Sequence, residues 1–484
     1  MIDLERSEQT LRPDPRRLVA RPFLPGAAAF GGDSRRLELI VDRVLDLAPE
    51  VHSRLLADTL NRCAGRHRDI RSTWIQHFEM ACERSPRIRN VSDPDVRLLI
   101  GAYLTLGYAY EGAALTNPSI VPLGEASGGS QPFVMSARAI GEGHISSVAF
   151  FTGSAGQAGS LIFDARSPFA DNGERKEPLY QRLSFTLKLA ELGFANEVSE
   201  RILSVLPEEF TPADLYAALP TAEDIDLDPI LLADTVRMVH WLSASSYEVI
   251  FNSALPVSEH LISPAAPAES HGMEDARFVR FVDDDGEVTY YATYTAYDGL
   301  RILPQMIKTK DFHHFRMTTM SGPTAYHKGL ALFPRKIRGE FAAVSRHDQE
   351  TTFVMRSDNV RHWGNAEAVL VPEQGWEAIQ TGNCGSPLET DAGWLLITHG
   401  VGPMRRYVLG AVLLDLDEPT KVLGRLTSPL LEPQEDESFG YVPDVVYSCG
   451  SMIHDDHLIL PYGYADYGIR VATVPVEQVL SQMS

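Results

Sequence analysis

The chain is poor in cysteine and in positive charge. Its 484 residues include only four cysteines, Cys63, Cys82, Cys384 and Cys449, and none of them forms a C-x-x-C pair. This scatter argues against a zinc knuckle or a redox motif, and it favours a reducing cytoplasm over a disulfide framework. Lysine and arginine number 43 against 65 aspartates and glutamates, a formal net charge of -22. So acidic a surface repels phosphate backbones, and we expect no nucleic-acid partner.

Long apolar runs are missing as well. No uninterrupted apolar stretch reaches the roughly 20 residues that a membrane-spanning helix needs. The first residues, up to Arg17, are polar and include Pro13 and Pro15, unlike a signal peptide. The signatures of serine hydrolases (G-x-S-x-G), P-loop proteins (Walker A) and zinc proteases (H-E-x-x-H) are also absent. We therefore predict a cytoplasmic protein with no metal, no cofactor and no membrane contact.

The residues that are present change in pattern along the chain. Residues 34–115 have apolar side chains at helical spacing, with Asp93-Pro94 as an N-cap and first helical residue. Residues 178–245 are again helical, whereas 133–139 and 145–151 resemble two strands joined by a glycine-rich turn. Neither helical segment contains recognisable chemistry. We expect them to act as supports or as contacts between copies.

From residue 247 onwards nearly all of the sequence predicts strands. The clearest unit is a hairpin of residues 278–282 and 288–295 around a turn at 283–286. Many short strands with regular turns indicate a sandwich, a barrel or a propeller. The units are not close repeats of one another, so periodicity alone does not choose among these three.

Two polar clusters of the β half are candidates for chemistry. Glu274-Asp275-Ala276-Arg277 places two adjacent acids and an arginine at the start of a strand. A buried carboxyl there would hold a proton for general acid catalysis, and a surface salt-bridge cluster is the alternative. His399 follows an apolar strand, and the paired Arg405 and Arg406 suit phosphate or carboxylate recognition. A structural histidine and exposed arginines on an acidic surface are the alternatives here.

Two further clusters carry weaker signals. Arg138, Glu142 and His144 lie together on a glycine-rich turn that no helix follows, which argues against a dinucleotide fingerprint. The segment His454-Asp455-Asp456-His457 reads as a solvated turn rather than as a metal site. Aromatic residues, Tyr462 among them, are concentrated in the β half. Rings interleaved with Asp, Asn and Arg suit a glycan site, although most such rings belong to a core.

The order of several motifs carries a family resemblance. From Met273 to Ala472 the chain contains, in sequence, "MEDARFV", "KGLALFPRKIRGEFAAVSRHD", "SDNVRHW", "TGNCGSPLETDAGWLLITHGV", "YVLGAVLLDLDEPTKVLGR", "GYVPDVVYSCG" and "YGYADYGIRVA". With these motifs the C-terminal half resembles glycoside hydrolase family 130, the β-mannoside phosphorylases and mannosidases. Upstream, "TNPSIV" and "FVMSARAIGEGHISS" resemble the first propeller blade of the family.

The resemblance implies a mainly β fold, a five-bladed β-propeller with the active site in its central cavity. Here the propeller would carry an α-helical N-terminal extension and a helical insertion. The implied domains are the extension at 1–115, the first blade at 116–165, the insertion at 166–246 and the remaining blades, with the active site, at 247–484.

The resemblance also implies an inverting reaction and assigns roles to residues. Asp275 matches the acid of the family's Glu-Asp-Pro-Arg motif, with Ala276 in place of the proline, and would be the general acid. In the phosphorylases of the family this acid acts through a sugar hydroxyl as a proton relay, and phosphate attacks the opposite face. Residues predicted to bind the sugar are Arg138, Glu274, Arg277, Asp466 and Tyr462.

The sequence departs from the family at the expected phosphate pocket. Gly329, after Lys328, stands where the shorter phosphorylases have Asn, and Gln380 stands where they have lysine. Their "HRP" reads Ser345-Arg346-His347. Residues that would rebuild the pocket are Lys328, Arg346, His399, Arg405 and Arg406. Alternatively the departures indicate a hydrolase, for which the candidate bases are Glu142, Glu350 and Glu437.

We predict phosphorolysis of short β-mannosides to α-mannose 1-phosphate, with inorganic phosphate as co-substrate. An inverting β-mannosidase that uses water is the first alternative, and a glycan-binding propeller without catalysis is the second. We also expect a homo-oligomer formed through the helical additions. The linkage position and the acceptor sugar stay open.

Overall fold

The computed structural model describes residue 2 and residues 4–25, 34–222 and 228–484. These residues form two compact units. One contains residues 14–112 and 167–171, and the other contains the residues up to 13, 113–166 and 172–484. In the described part of the chain no helix is both long enough and apolar enough to cross a membrane.

The α-helices of the described residues are α1 (Arg35–Leu45), α2 (Pro49–Cys63), α3 (Ile70–Arg84), α4 (Pro94–Tyr103), α5 (Arg182–Glu191), α6 (Glu197–Ser204), α7 (Pro212–Ala218), α8 (Pro229–Ser243) and α9 (Val476–Leu480). The strands as far as residue 282 are β1 (Glu5–Arg6), β2 (Leu18–Pro22), β3 (Thr105–Ala109), β4 (Ala114–Pro122), β5 (Gln131–Ile140), β6 (Ser146–Ala155), β7 (Leu161–Phe163), β8 (Glu174–Lys176), β9 (Tyr180–Gln181), β10 (Glu209–Phe210), β11 (Tyr247–Ile250), β12 (Leu261–Ile262) and β13 (Gly272–Val282).

The remaining strands are β14 (Val288–Tyr297), β15 (Ile302–Thr309), β16 (His314–Thr319), β17 (Ala331–Leu332), β18 (Phe341–Ser345), β19 (Thr352–Ser357), β20 (Asn365–Leu370), β21 (Gln380–Asn383), β22 (Leu388–Thr390), β23 (Gly393–Val401), β24 (Tyr407–Leu414), β25 (Val422–Arg425), β26 (Val446–Tyr447), β27 (Met452–His454), β28 (His457–Tyr464) and β29 (Gly468–Pro475).

The smaller unit is built from α1–α4, whose apolar faces pack around Trp74 and Phe78. The predicted N-cap of α4 is confirmed, because the Asp93 side chain accepts hydrogen bonds from two backbone N–H groups of the first turn and Pro94 follows it. Helices α3 and α4 cross closely at Gly101, where an added Cβ would lie 2.0 Å from the Trp74 carbonyl oxygen. Strands β2 and β3 pair antiparallel in the same unit.

The described residues of the larger unit are mainly β, as predicted, and most of their strands form five antiparallel meanders. They are β4–β7, β13–β16, β17–β20, β21–β25 and β26–β29. In the fourth and fifth meanders two short strands share the first position, since β21 and β22 both pair with β23, and β26 and β27 both pair with β28. The hairpin predicted from the sequence is confirmed as β13 and β14.

The bounds of the helical extension and of the helical insertion differ from those predicted from the sequence. Residues 5–6, expected in the helical extension, form β1 and pair with β29, so the chain's first strand completes its last meander. Residues 174–176, expected in the helical insertion, form β8 and pair with β11 at the edge of the second meander. Both additions cover a strand edge that would otherwise expose backbone donors and acceptors. The helices α5–α8 of the insertion share an apolar core around Phe210.

The first strands of the meanders approach one another very closely. A Cβ on Gly450 would lie 2.4 Å from the Ser119 hydroxyl oxygen, and one on Gly385 would lie 2.4 Å from the Cys449 carbonyl oxygen. The Cys449 N–H donates to the Pro118 carbonyl at 2.8 Å, and the Ser119 hydroxyl accepts from a backbone N–H of β13 at 2.9 Å. Strand β4, strand β13 and residues 385 and 449–450 therefore meet at one place, and the polar clusters of the sequence lie around it.

Candidate active site

Two β-bulges supply the central acid and its nearest partner. The pairing of β4 with β5 shifts register between Thr116 and Ser119, and that of β13 with β14 shifts between Glu274 and Arg277. Inside these bulges Asn117 and Asp275 adopt positive φ angles of 50° and 57°. Asn and Asp tolerate this left-handed backbone better than other residues with a Cβ, and a bulge redirects its side chain.

Asp275 is surrounded by donors and positive charges. Asn117 Nδ2 donates to Asp275 Oδ1 at 2.5 Å, and Arg138 Nη1 lies 4.0 Å from the same oxygen. Burial by itself raises the pKa of Asp275. The charges of Arg138, Lys328 and Arg277, together with the Asn117 hydrogen bond, outweigh burial and hold the pKa below the ordinary aspartate value. Without ligands the carboxyl group is therefore ionised.

Glu274 holds two cations next to this acid. Its carboxylate accepts from Arg138 Nη2 at 2.7 Å and also contacts Lys328 Nζ. The Glu274 side chain is 10% exposed and that of Lys328 is 37% exposed. The arrangement is an alternating line of charge, Lys328–Glu274–Arg138–Asp275, with its lysine end open to solvent.

A second acid stands close to the same arginine. Asp466 follows β28 with a φ of 47°, and its Oδ1 accepts from the Thr116 hydroxyl at 3.3 Å. Burial raises the pKa of Asp466, and the nearby Asp275 carboxylate adds to this, while Arg138 and the Thr116 hydrogen bond oppose it. The two acids thus differ, with the pKa of Asp275 lowered and that of Asp466 raised. Carboxyls separated in this way are typical of acid–base sites.

Arg277 is buried beside Asp275 and is held by hydrogen bonds to other strands. It is 2% exposed, and its two Nη groups donate to the Asn383 carbonyl at 3.0 Å and to the Tyr447 hydroxyl at 2.8 Å. It shares a small cavity with Asp275 and His327. These two hydrogen bonds hold Arg277 beside Asp275, and its predicted contact with the sugar stays a prediction.

Arg346, which follows β18, and His399, in β23, form a second polar region around Gly382. A Cβ on Gly382 would lie 2.9 Å from Arg346 Cδ and 2.6 Å from His399 Cε1, so only glycine leaves room for both side chains. Burial, with Arg346 and Arg277 nearby, lowers the pKa of His399 well below its ordinary value. The imidazole is therefore neutral, and Cys384 Sγ lies 3.8 Å from its Nδ1. Arg346 Nε is buried without a partner among the described residues.

The remaining predicted residues lie at turns that connect second and third strands of the meanders. Arg405 and Arg406 are exposed after β23, and Arg406 pairs with Glu432 at 2.6 Å. Glu142 and Glu350 are exposed at the corresponding turns after β5 and β18.

Two predicted residues belong to a different cluster. Glu437 is fully buried and accepts from Arg6 at 2.9 Å, Arg470 at 3.0 Å and the Tyr462 hydroxyl at 2.6 Å. Tyr462 is itself fully buried. The backbone N–H of Gln434 also donates to Glu437, at 3.0 Å. A base with four donors already bound is poorly placed to activate water, and a buried tyrosine offers no surface to a sugar. We therefore remove Glu437 and Tyr462 from the site.

The sequence did not assign roles to Asn117, Thr116 or Tyr447. The signal for Asn117 was present, because an Asn-Pro pair inside a strand marks a break in the ladder. Thr116 and Tyr447 had no local signal. Their contacts with Asp466 and Arg277 join residues that lie far apart in the chain.

No metal-binding cluster is found among the described residues, where no three His, Cys, Asp or Glu side chains lie close enough to share an ion. The segment 454–457 forms a turn between β27 and β28, in which Asp455 accepts a hydrogen bond from the backbone of Ala158 at 2.7 Å. Such a contact fits the solvated turn that the sequence indicates.

Paired acids of different pKa, interleaved with fixed cations on a β scaffold, are the groups that an acid–base active site requires. A family model described as beta-1,4-mannooligosaccharide phosphorylase matches residues 248–484. A 1,2-beta-oligomannan phosphorylase of Thermoanaerobacter sp. (strain X514) is 34% identical over 226 residues, which are 45% of this chain and 73% of that protein. The chain belongs to glycoside hydrolase family 130, which confirms the resemblance seen in the sequence.

Other similar proteins carry related names. A beta-1,2-mannobiose phosphorylase of Listeria innocua is 31% identical over 223 residues, 44% of this chain and 61% of that protein. A solved structure of a beta-1,2-mannobiose phosphorylase from Listeria innocua, in complex with beta-1,2-mannobiose, covers 77% of this chain and 92% of its own. It has 20% identity and a TM-score of 0.45.

Proposed function

We propose that the protein is an inverting phosphorylase that cleaves short β-mannosides and releases α-mannose 1-phosphate. The observation that carries this proposal is the charged line at the meeting point of the strands, where Asp275 stands beside cations that continue outward to the open Lys328. Family membership supports the same reaction, since the similar proteins above are named as phosphorylases of β-mannosides.

The fold in this proposal is a five-bladed β-propeller, with each meander as one blade. Strand β1 closes the circle by adding to the last blade, which ends with β29. The contacts of Gly450 with Ser119 and of Gly385 with Cys449 then lie near the central axis, where first strands of different blades meet. The acids and cations of the site occupy this centre.

The proposed reaction needs one proton donor, Asp275, and one nucleophile, phosphate. Asp275 donates its proton, through a sugar hydroxyl, to the glycosidic oxygen. A phosphate oxygen attacks the anomeric carbon from the opposite face, the glycosidic bond breaks, and the leaving sugar keeps the proton. Inversion gives the α-phosphate from a β-mannoside. Fixed cations stabilise the phosphate charge without having to reorient during the reaction.

The other residues divide between the two substrates. Arg138, Glu274 and Asp466 face the mannosyl unit, and Lys328 and Arg346 bind phosphate. The neutral His399 adds a hydrogen bond to phosphate rather than a charge. Arg405 and Arg406, exposed after β23, attract the anion from solution.

A phosphorylase is favoured over a hydrolase by the positions of the glutamates. An inverting hydrolase needs a carboxylate base that holds a water opposite the acid. Glu437 is committed to Arg6, Arg470 and Tyr462, while Glu142 and Glu350 are exposed. Cations, by contrast, lie beside Asp275. No cofactor is part of the proposal, and cytoplasmic location and a homo-oligomer are proposed with it.

Incubation of the protein with β-1,2- and β-1,4-linked manno-oligosaccharides, with and without inorganic phosphate, tests the reaction. Both linkages are needed because the names of the similar proteins include both. We expect mannose 1-phosphate in the tubes with phosphate and no cleavage in the others. Free mannose released at equal rates in both tubes would establish the hydrolase instead.

Substitution Asp275→Asn tests the general acid. We expect turnover to fall by at least roughly 100-fold, the scale of a lost proton donor, with the fold unchanged because Asn has the same shape. Asp391→Asn, at an exposed turn, is the matched control and should keep full activity. Near-normal turnover of Asp275→Asn contradicts the assignment. If the unmodified protein and Asp275→Asn both bind the oligosaccharide and neither cleaves it, the protein is a binding module.

Substitution Gly382→Ala tests the phosphate region. The new Cβ pushes Arg346 and His399 aside, and we expect the phosphate KM to rise by about tenfold or more, which equals a loss of about 1.4 kcal/mol. The mannoside KM should change little. Gly375→Ala is the control, since its Cβ would meet nothing within 4 Å. An equal rise of both KM values would show a general distortion and remove Arg346 from the phosphate site.

A further inference from the structure

The acid that must donate a proton is ionised in the ligand-free structure. Its lowered pKa results from cations, and one of these, Lys328, is the outermost member of the charged line. Lys328 is held there by Glu274, whose other oxygen accepts from Arg138. In the ligand-free structure the Glu274 carboxylate is therefore paired with the lysine that is proposed to bind phosphate.

The charged and titratable groups that face Asp275 come from several elements. Its own strand contributes Glu274 and Arg277, β5 contributes Arg138, and the segment before β17 contributes Lys328. The turn after β28 contributes Asp466. Tyr447, Cys384 and Cys449 also interact electrostatically with Asp275, and His327 and Tyr294 line the same small cavity.

We propose that phosphate binding at Lys328 loads the catalytic proton onto Asp275. The anion takes Lys328 from the Glu274 carboxylate and adds negative charge beside the acid, and Asp275 then binds one proton from solvent. This inference rests on the phosphate role of Lys328 in the proposed function. Lys328 acts as a positioning residue for the proton, in addition to binding the nucleophile.

The direction of the coupling follows from the balance of charges at Asp275. Burial favours the protonated carboxyl, and the cations oppose burial. A bound anion offsets the charge of Lys328, whereas burial stays. The pKa of Asp275 therefore rises when the anion binds, and protons are taken up at every pH between the pKa of the ligand-free site and that of the anion complex.

The coupling has a consequence for the choice between phosphate and water. While phosphate is absent, Asp275 remains a carboxylate and has no proton for the leaving sugar. Cleavage by water is then suppressed because the general acid is not protonated. The same anion supplies the nucleophile and prepares the acid, which links bond cleavage to phosphorolysis.

Proton uptake on sulfate binding tests the proposal. Sulfate resembles phosphate in shape and does not titrate near neutral pH, so every proton taken up from the buffer is bound by the protein. Sulfate is titrated into the full chain at about pH 5, above the ordinary aspartate pKa. Uptake is measured by calorimetry in two buffers of different ionisation enthalpy. We expect up to about one proton per sulfate bound, and no uptake in Asp275→Asn.

Two further variants test which carboxyl group binds the proton and whether Lys328 binds the anion. Asp466→Asn should retain the uptake, and Lys328→Gln should weaken sulfate binding and lose most of the uptake. Sulfate binding without uptake by the unmodified protein overturns the coupling, and so does unchanged uptake by Asp275→Asn, which would place the proton elsewhere. No sulfate binding that phosphate can compete for would overturn the phosphate site itself. Phosphate-dependent cleavage, measured separately, distinguishes that failure from failure of the proposed reaction.

Discussion

Two neighbouring carboxylates, Glu274 and Asp275, must be accommodated at a position where both side chains are mostly buried. Placed side by side without cations, they would repel each other, and one would remain protonated. The bulge in β13 separates their directions, and Arg138 approaches both of them. The rest of the site follows from this constraint, because each cation that stabilises the acids also defines where an anionic substrate can bind.

The constraint reaches into the scaffold. Arg138 can meet the two acids only if β5 lies next to β13, and Asn117 can donate to Asp275 only if β4 has its own bulge. Such close approach requires glycines where strands of different meanders meet, as at Gly450. Arg277 then fixes β13 to Asn383 and Tyr447 from below. Asn117, Asp275 and Asp466 all have left-handed backbone within the site, and residues at turns elsewhere, such as Ala158 and Arg338, have it too.

Much of the fold could be predicted from the sequence, since local signals determine it. The cap at Asp93, the hairpin of β13 and β14 and the mainly β character of the second half all have short-range patterns. The pairing of β1 with β29 had none, because a two-residue strand has no periodicity and its partner lies at the other end of the chain. The sequence assigned those residues to the helical extension for this reason.

Of the site, motif order identified Asp275 and its surroundings, but not the state of each side chain. The assignments of Tyr462 and Glu437 came from residue type and motif position, and both side chains are buried and bonded to protein partners away from Asp275. Polar residue types such as these serve equally well in buried networks. The lowered pKa of Asp275 was also beyond the sequence, because it depends on Arg138 and Lys328, which are far from it along the chain.

The anomeric configuration of the sugar phosphate tests the central claim most directly. In the proposed reaction the proton donor and phosphate act on opposite sides of the mannosyl unit, and a single displacement then inverts the anomeric carbon. Proton NMR during the first turnovers, with a β-linked manno-oligosaccharide and phosphate, reads the configuration before any equilibration. We expect α-mannose 1-phosphate. Formation of the β-anomer would mean two displacements through a covalent intermediate, and would contradict the arrangement of Asp275 and the cations described above.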